Sequence, residues 1–149
     1  MSRVAGALIA EDHPLVRKSL KALLERDGIP VLGEAADGEE ALRLAQALRP
    51  ETVVLDLQMP LLNGLEVARL LRRSLPETKS ILLTMHAEAA YVAEALEAGV
   101  HGYVLKSQAA DDLVAAIRRV GSGGVFVSPR IAPAPCPLDP AAPEEPASR

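Results

Sequence analysis

Cysteine is almost missing from the 149-residue chain. Cys136 stands alone, so neither an internal disulfide framework nor a cysteine-based metal cluster can form. Aromatic residues are equally scarce: with no tryptophan, two tyrosines and one phenylalanine, a flavin ring would find few stacking partners. There is no block of Lys or Arg, and 16 basic against 20 acidic residues leave a net charge of −4. A grip on nucleic acid through phosphate neutralisation is therefore not expected of this chain. No apolar run approaches the ~20 residues that span a bilayer, and Met1-Ser2-Arg3 runs straight into a strand-like segment instead of a signal peptide. A cytoplasmic protein without membrane contact is the expectation.

With 49% hydrophobic and 24% charged residues, the chain suits one globular domain. Its composition breaks near Ser128: the last 22 residues hold seven of the twelve prolines and five alanines. Such a stretch cannot continue a helix or bury enough apolar surface to order itself. The reading is a domain over 1–127 and a Pro/Ala-rich linker or disordered tail over 128–149. Within the domain, short apolar runs alternate five times with longer helical patterns, the spacing of βα units. Strands are expected over 4–10, 30–35, 52–55, 80–84 and 102–105. Val53-Val54-Leu55 and Ile81-Leu82-Leu83 are continuously apolar, as strands covered on both faces are. Helices are expected from Pro14 to before Gly28, from the Asp37/Glu40 capping spacing onward, and over 64–75, 89–98 and 109–120. Right-handed crossovers make this an open, doubly wound α/β sheet whose ligand site lies beyond the carboxyl ends of the strands.

Those ends carry Glu11-Asp12, Asp56, Thr84 and Lys106. Carboxylates packed together resist joint ionisation, so the cluster calls for a cation. Mg²⁺ (or Mn²⁺), with its preference for carboxylate, water and phosphate oxygens, answers that chemistry. No histidine or cysteine spacing offers zinc a competing site.

The strand-end residues belong to a longer series: Glu11-Asp12-His13-Pro14, Asp37-Gly38, Val54-Leu55-Asp56-Leu57-Gln58-Met59-Pro60, Asn63-Gly64, Leu83-Thr84-Met85, Ala98-Gly99-Val100-His101-Gly102-Tyr103 and Lys106. In this order they resemble the receiver domain of two-component response regulators, of the NarL/FixJ type, over about residues 3–128. The resemblance implies a flavodoxin-like (βα)5 parallel sheet of five strands in the order 2-1-3-4-5. It also implies that Asp56 accepts a phosphoryl group from a sensor histidine kinase. Asp12, Asp56 and the Gln58 backbone carbonyl would hold the metal, with Glu11 acting through a water. Lys106 and the Thr84 hydroxyl would each take a phosphoryl oxygen. Thr84 and Tyr103 would switch the face made by the fourth helix, fifth strand and fifth helix, and Gln58 and His86 would tune self-dephosphorylation. A homodimer is a candidate assembly for the switched state. Beyond this self-directed chemistry no enzymatic turnover is implied.

Each residue also has a plainer role: Asp12 as an N-cap of the first helix, Asp56 as a strand-end turn residue, Thr84 as a β-branched strand residue, Lys106 as solvated surface, Tyr103 as core. Other functions fit less well. A haloacid-dehalogenase-like phosphatase wants a second Asp two positions after the first, where Gln58 stands. A pseudo-receiver would lack acid-pocket residues, and all are of suitable type here. Three departures from the family pattern stand out. Leu61-Leu62 occupy a loop usually built from small residues. Ser107 follows Lys106 where many receivers have proline, and a cis bond not preceding proline costs ~3 kcal/mol. The stretch after Val127 is too short for a helix-turn-helix effector domain, so an effector is expected outside this chain.

Overall fold

The computed structural model describes residues 4–129. Five βα units run β1 (Val4–Ala10), α1 (Pro14–Arg26), β2 (Val31–Ala35), α2 (Gly38–Leu48), β3 (Pro50–Asp56), α3 (Gly64–Ser74), β4 (Lys79–Thr84), α4 (Ala89–Glu97), β5 (Gly102–Leu105) and α5 (Ala109–Gly121). The strands are parallel in the order β2-β1-β3-β4-β5, as expected. A sixth strand, β6 (Phe126–Val127), was not foreseen; it adds in parallel to the outer edge of β5. Two residues are too few to show a hydrophobic period, which is why the pattern concealed it.

Local chemistry sets the boundaries. Asp37 caps α2 by accepting the Glu40 N–H at 2.8 Å, but the Glu40 carboxylate reaches past the cap to the Ala36 N–H instead of closing a reciprocal box. The complete capping box lies at α3, between Asn63 and Glu66. Arg49, at φ 50, ends α2 in the left-handed region directly before Pro50. His13, not Asp12, occupies the N-cap of α1, with no side-chain cap bond. The capping alternative for Asp12 therefore does not apply.

Strand alternation sorts the core into two layers. Leu8, Ala10, Val53, Leu55, Leu82, Tyr103 and Leu105 pack with Ala41, Ala45, Val67, Leu71 and Ala95 of α2, α3 and α4. Ala7, Ile9, Val54, Ile81, Leu83 and Val104 pack with Leu20 and Leu24 of α1 and Leu113, Ala116, Ile117 and Val120 of α5. The sheet is thus covered on both faces, matching the unbroken apolar runs of its central strands. The Pro/Ala-rich segment from residue 130 on lies outside the described residues. Among those described, no helix is long and apolar enough to cross a membrane.

Candidate functional site

Alternation decides which way each strand-end residue turns. Leu55, Ala10 and Leu105 all pack into the α2–α4 layer, so Asp56, Glu11 and Lys106, each one residue further on, turn toward the α1/α5 side. Thr84 follows Leu83 of the opposite layer and so shares its side of the sheet with Tyr103. Three of the expected site residues therefore converge on one side of the rim, and the two expected switch residues on the other.

On the first side, Lys106 Nζ lies 3.1 Å from both Asp56 Oδ2 and Glu11 Oε1, and the Asp56 contact has hydrogen-bond geometry. Asp56 is 3% exposed and Glu11 fully buried. The Gln58 N–H donates to Asp56 Oδ1 at 3.3 Å, and the His13 N–H to Glu11 Oε2 at 3.1 Å. Arg17 fixes the Glu11 backbone, donating from Nη1 to its carbonyl at 2.7 Å while its Nε meets Glu34 at 3.3 Å. Gly64 packs directly beneath: a Cβ there would stand 2.5 Å from the Asp56 carbonyl oxygen.

Burial, and then the neighbouring Asp56 charge, push the Glu11 carboxyl above its ordinary range, against the opposing effects of the His13 N–H and Lys106. Burial pulls the Lys106 ammonium down, but hydrogen bonds and charge from Asp56 and Glu11 outweigh it and leave the group raised. Carboxylate oxygens of Glu11, Asp12 and Asp56 lie within 4.8 Å of one another, and the buried Glu11 Oε1 meets only the Lys106 ammonium, which it shares with Asp56. A hard-oxygen donor set with more carboxylates than the one shared ammonium can neutralise fits a divalent cation such as Mg²⁺ or Mn²⁺. Asp12, the third carboxylate of the group, is exposed.

On the other side, the Thr84 hydroxyl is not hydrogen-bonded to Asp56. Its oxygen accepts the His86 N–H at 3.0 Å, while the Tyr103 hydroxyl donates to the His86 carbonyl at 2.9 Å. The peptide groups flanking His86 are thus held by both Thr84 and Tyr103. Tyr103 is fully buried, and burial raises its phenol pKa despite a hydrogen bond with Thr84. The His86 ring stacks on Tyr91 of α4, centroids 4.3 Å apart. Gln58 is exposed beside Asp56.

The two departures that lie within the described residues take definite shapes. Leu61 stands at φ 73 and is 68% exposed, between Pro60 and Leu62, whose N–H donates back to the Pro60 carbonyl at 2.8 Å. A leucine at the centre of this γ-type turn is backbone strain in the loop that follows Asp56. The Lys106–Ser107 peptide is trans and opens a short 3-10 turn over Lys106–Gln108. Sequence reasoning missed Ser128, which it assigned to the tail: Ser128 is 2% exposed and hydrogen-bonded to β5. The Gly123-Gly124 turn ahead of Val125-Phe126-Val127 was the available signal.

Comparison with known proteins agrees with this geometry. A family model for the response regulator receiver domain matches residues 7–118. The transcriptional regulatory protein LnrK of Bacillus subtilis is 40% identical over 125 residues, 83% of this chain and 57% of that protein. The response regulator GacA of Pseudomonas aeruginosa is 38% identical over 126 residues, 84% of this chain and 59% of that protein. The chain thus spans a little over half the length of these relatives. Among solved structures, a two-component response regulator of the LuxR family from Aurantimonas sp. superposes with a TM-score of 0.81 at 39% identity, covering 87% of this chain and 93% of that one. The receiver domain of the regulator NarL from Mycobacterium tuberculosis does so with a TM-score of 0.76 at 33% identity, covering 82% and 99%. With sequence, sheet order and strand-end residues in agreement, the chain belongs to the response regulator receiver domain family.

Proposed function

We propose that this chain is a phospho-accepting switch in which Asp56 takes a phosphoryl group from the phosphohistidine of a sensor kinase. The observation that carries the reading is the buried Asp56 carboxylate held at Oδ2 by Lys106 and at Oδ1 by the Gln58 N–H, beside Glu11 and Asp12. An Asp56 oxygen attacks phosphorus, the P–N bond breaks, and its electron pair stays on the imidazole nitrogen, which takes a proton from solvent. Lys106 stays within reach of the transferring oxygens, and its charge offsets theirs, so most of the rate comes from positioning and electrostatics. Asp12, Asp56 and the Gln58 carbonyl, with Glu11 through a water, would hold Mg²⁺ or Mn²⁺, which would supply further charge neutralisation. Return to the free carboxylate is hydrolysis: water attacks phosphorus, the bond to Asp56 breaks, and Gln58 and His86 set how water approaches.

The phosphoryl group brings about −1.5 to −2 charges and three acceptor oxygens. Thr84 then exchanges its His86 N–H bond for a phosphoryl oxygen, and Tyr103, tied to the same loop, follows, altering the face of α4, β5 and α5. Moving a population from about 1% to about 99% active needs about 5.5 kcal/mol, more than one hydrogen bond supplies. Switching within a single chain is therefore partial, and a homodimer completes it. The readout is transcriptional, through an effector domain outside this chain. Incubation with acetyl phosphate and Mg²⁺ should add one phosphoryl group, seen by intact mass, and Asp56→Asn should add none. A wild-type mass that stays constant would make this a pseudo-receiver that binds partners without phosphorylation.

A further inference from the structure

Lys106 is held at its tip by two carboxylates, but its backbone follows a strand of four residues, β5, and leads through a trans peptide into a 3-10 turn. Ser107 has no ring to restrict that turn. Among the described residues, the outer edge of β5 is paired only with the two residues of β6, Gly102 to Phe126 and Tyr103 to Val127. One residue beyond, the Ser128 N–H donates to the Tyr103 carbonyl at 2.9 Å, and the Ser128 hydroxyl accepts the Leu105 N–H at 3.1 Å. A side chain thereby extends the β5–β6 ladder by one rung, at the residue directly before Lys106. Ser128 is 2% exposed and Leu105 6%, so without this hydroxyl a buried N–H is left unpaired. Ser128 also lies ten residues beyond the family match, which ends at 118.

We propose that Ser128 is a positioning residue for phosphoryl transfer: its hydroxyl fixes the end of β5 and so aims the Lys106 ammonium at Asp56. This rests on the phospho-accepting reading above. Ser128→Ala removes the acceptor with little change of volume, and a small displacement of a charge-stabilising group slows transfer steeply. The test compares phosphorylation rates with acetyl phosphate and Mg²⁺ in wild type, Ser128→Ala and Ser128→Thr. The alanine variant should be roughly tenfold slower, and threonine, which keeps the hydroxyl, should return to within about threefold of wild type. Mg²⁺ affinity of the unphosphorylated form rests on Glu11, Asp12 and Asp56 and should not weaken in Ser128→Ala. A wild-type rate in Ser128→Ala overturns the proposal; so do equal slowing by alanine and threonine, or Mg²⁺ binding that weakens in step with the rate. If the alanine variant does not fold, Ser128→Cys, a weaker acceptor of nearly the same size, carries the same comparison. A wild-type chain that gains no phosphoryl group sinks the functional reading and this proposal together, whereas normal phosphorylation of Ser128→Ala sinks this proposal alone.

Discussion

Lys106→Met keeps most of the side-chain volume and removes the charge that meets both Glu11 and Asp56 at 3.1 Å. Deleting one partner of a fully buried ion pair costs about 3–5 kcal/mol, while an exposed pair is worth about 0–1. The Lys106 side chain is 28% exposed against 1% and 4% for its partners, so water screens it in part, and a loss of about 2 kcal/mol is expected near neutral pH. The pH dependence follows from the shifts. Glu11 is already raised by burial and by the Asp56 charge, with Lys106 opposing; the substitution raises it further. A carboxyl raised in the folded state binds a proton more tightly there than in the unfolded chain, so acid relieves the defect and the gap to wild type narrows from about pH 7.5 to about pH 5. At the other end, Lys106 is raised in the wild type: its contribution is whole below the ordinary 10.5 and is lost as pH rises through the folded value, so the gap narrows again there. Mg²⁺ should rescue the variant more than the wild type, because the competing ammonium is gone; at about 100 times Kd a ligand adds ~2.7 kcal/mol. Urea unfolding followed by circular dichroism reads all of this, since the chain has no tryptophan. A deficit that is the same at both pH values and indifferent to Mg²⁺ would refute the electrostatic account of the cluster.

His101, at the opposite end of the sheet, accepts the Ser80 N–H on Nδ1 at 3.2 Å, and burial, then the charges of Lys79 and Arg72, lower its pKa. Its contribution is therefore complete above the ordinary 6.5 and falls away as pH drops below it; urea midpoints of His101→Gln should lack this acid loss. Gly38 opens α2 against the Leu62 carbonyl, where a Cβ would collide. Gly38→Ala should cost about 1–3 kcal/mol by denaturation, and an unchanged midpoint would mean the β3–α3 loop moves freely. Tyr103→Phe deletes the donor to the His86 carbonyl and should cost about 1 kcal/mol in the same assay.

Much of this could be read before any coordinates. The alternation of apolar runs with 3.6-period segments placed the five βα units, because each strand and helix advertises its own burial locally. The strand-end rule then picked out Glu11, Asp12, Asp56, Thr84 and Lys106. Boundaries were less legible: β3 starts at Pro50 and takes in Asp56, since hydrogen bonding to β1 and β4 extends the strand past the apolar letters.

Residue types and their spacing settled which groups stand at the strand ends, since period and chain direction are local properties. They could not say that Lys106 pairs with both Glu11 and Asp56 while Thr84 bonds to its own loop; that follows from which helices cover which face. Nor could they show Leu61 forced to a positive φ or Ser128 drawn into the β5 edge. Ser128 begins the proline-rich stretch and has a polar side chain, so composition assigns it to the tail; the Gly123-Gly124 turn hints at one more strand, but the two hydrogen bonds that hold Ser128 go to a strand more than twenty residues earlier, and local pattern does not name that partner.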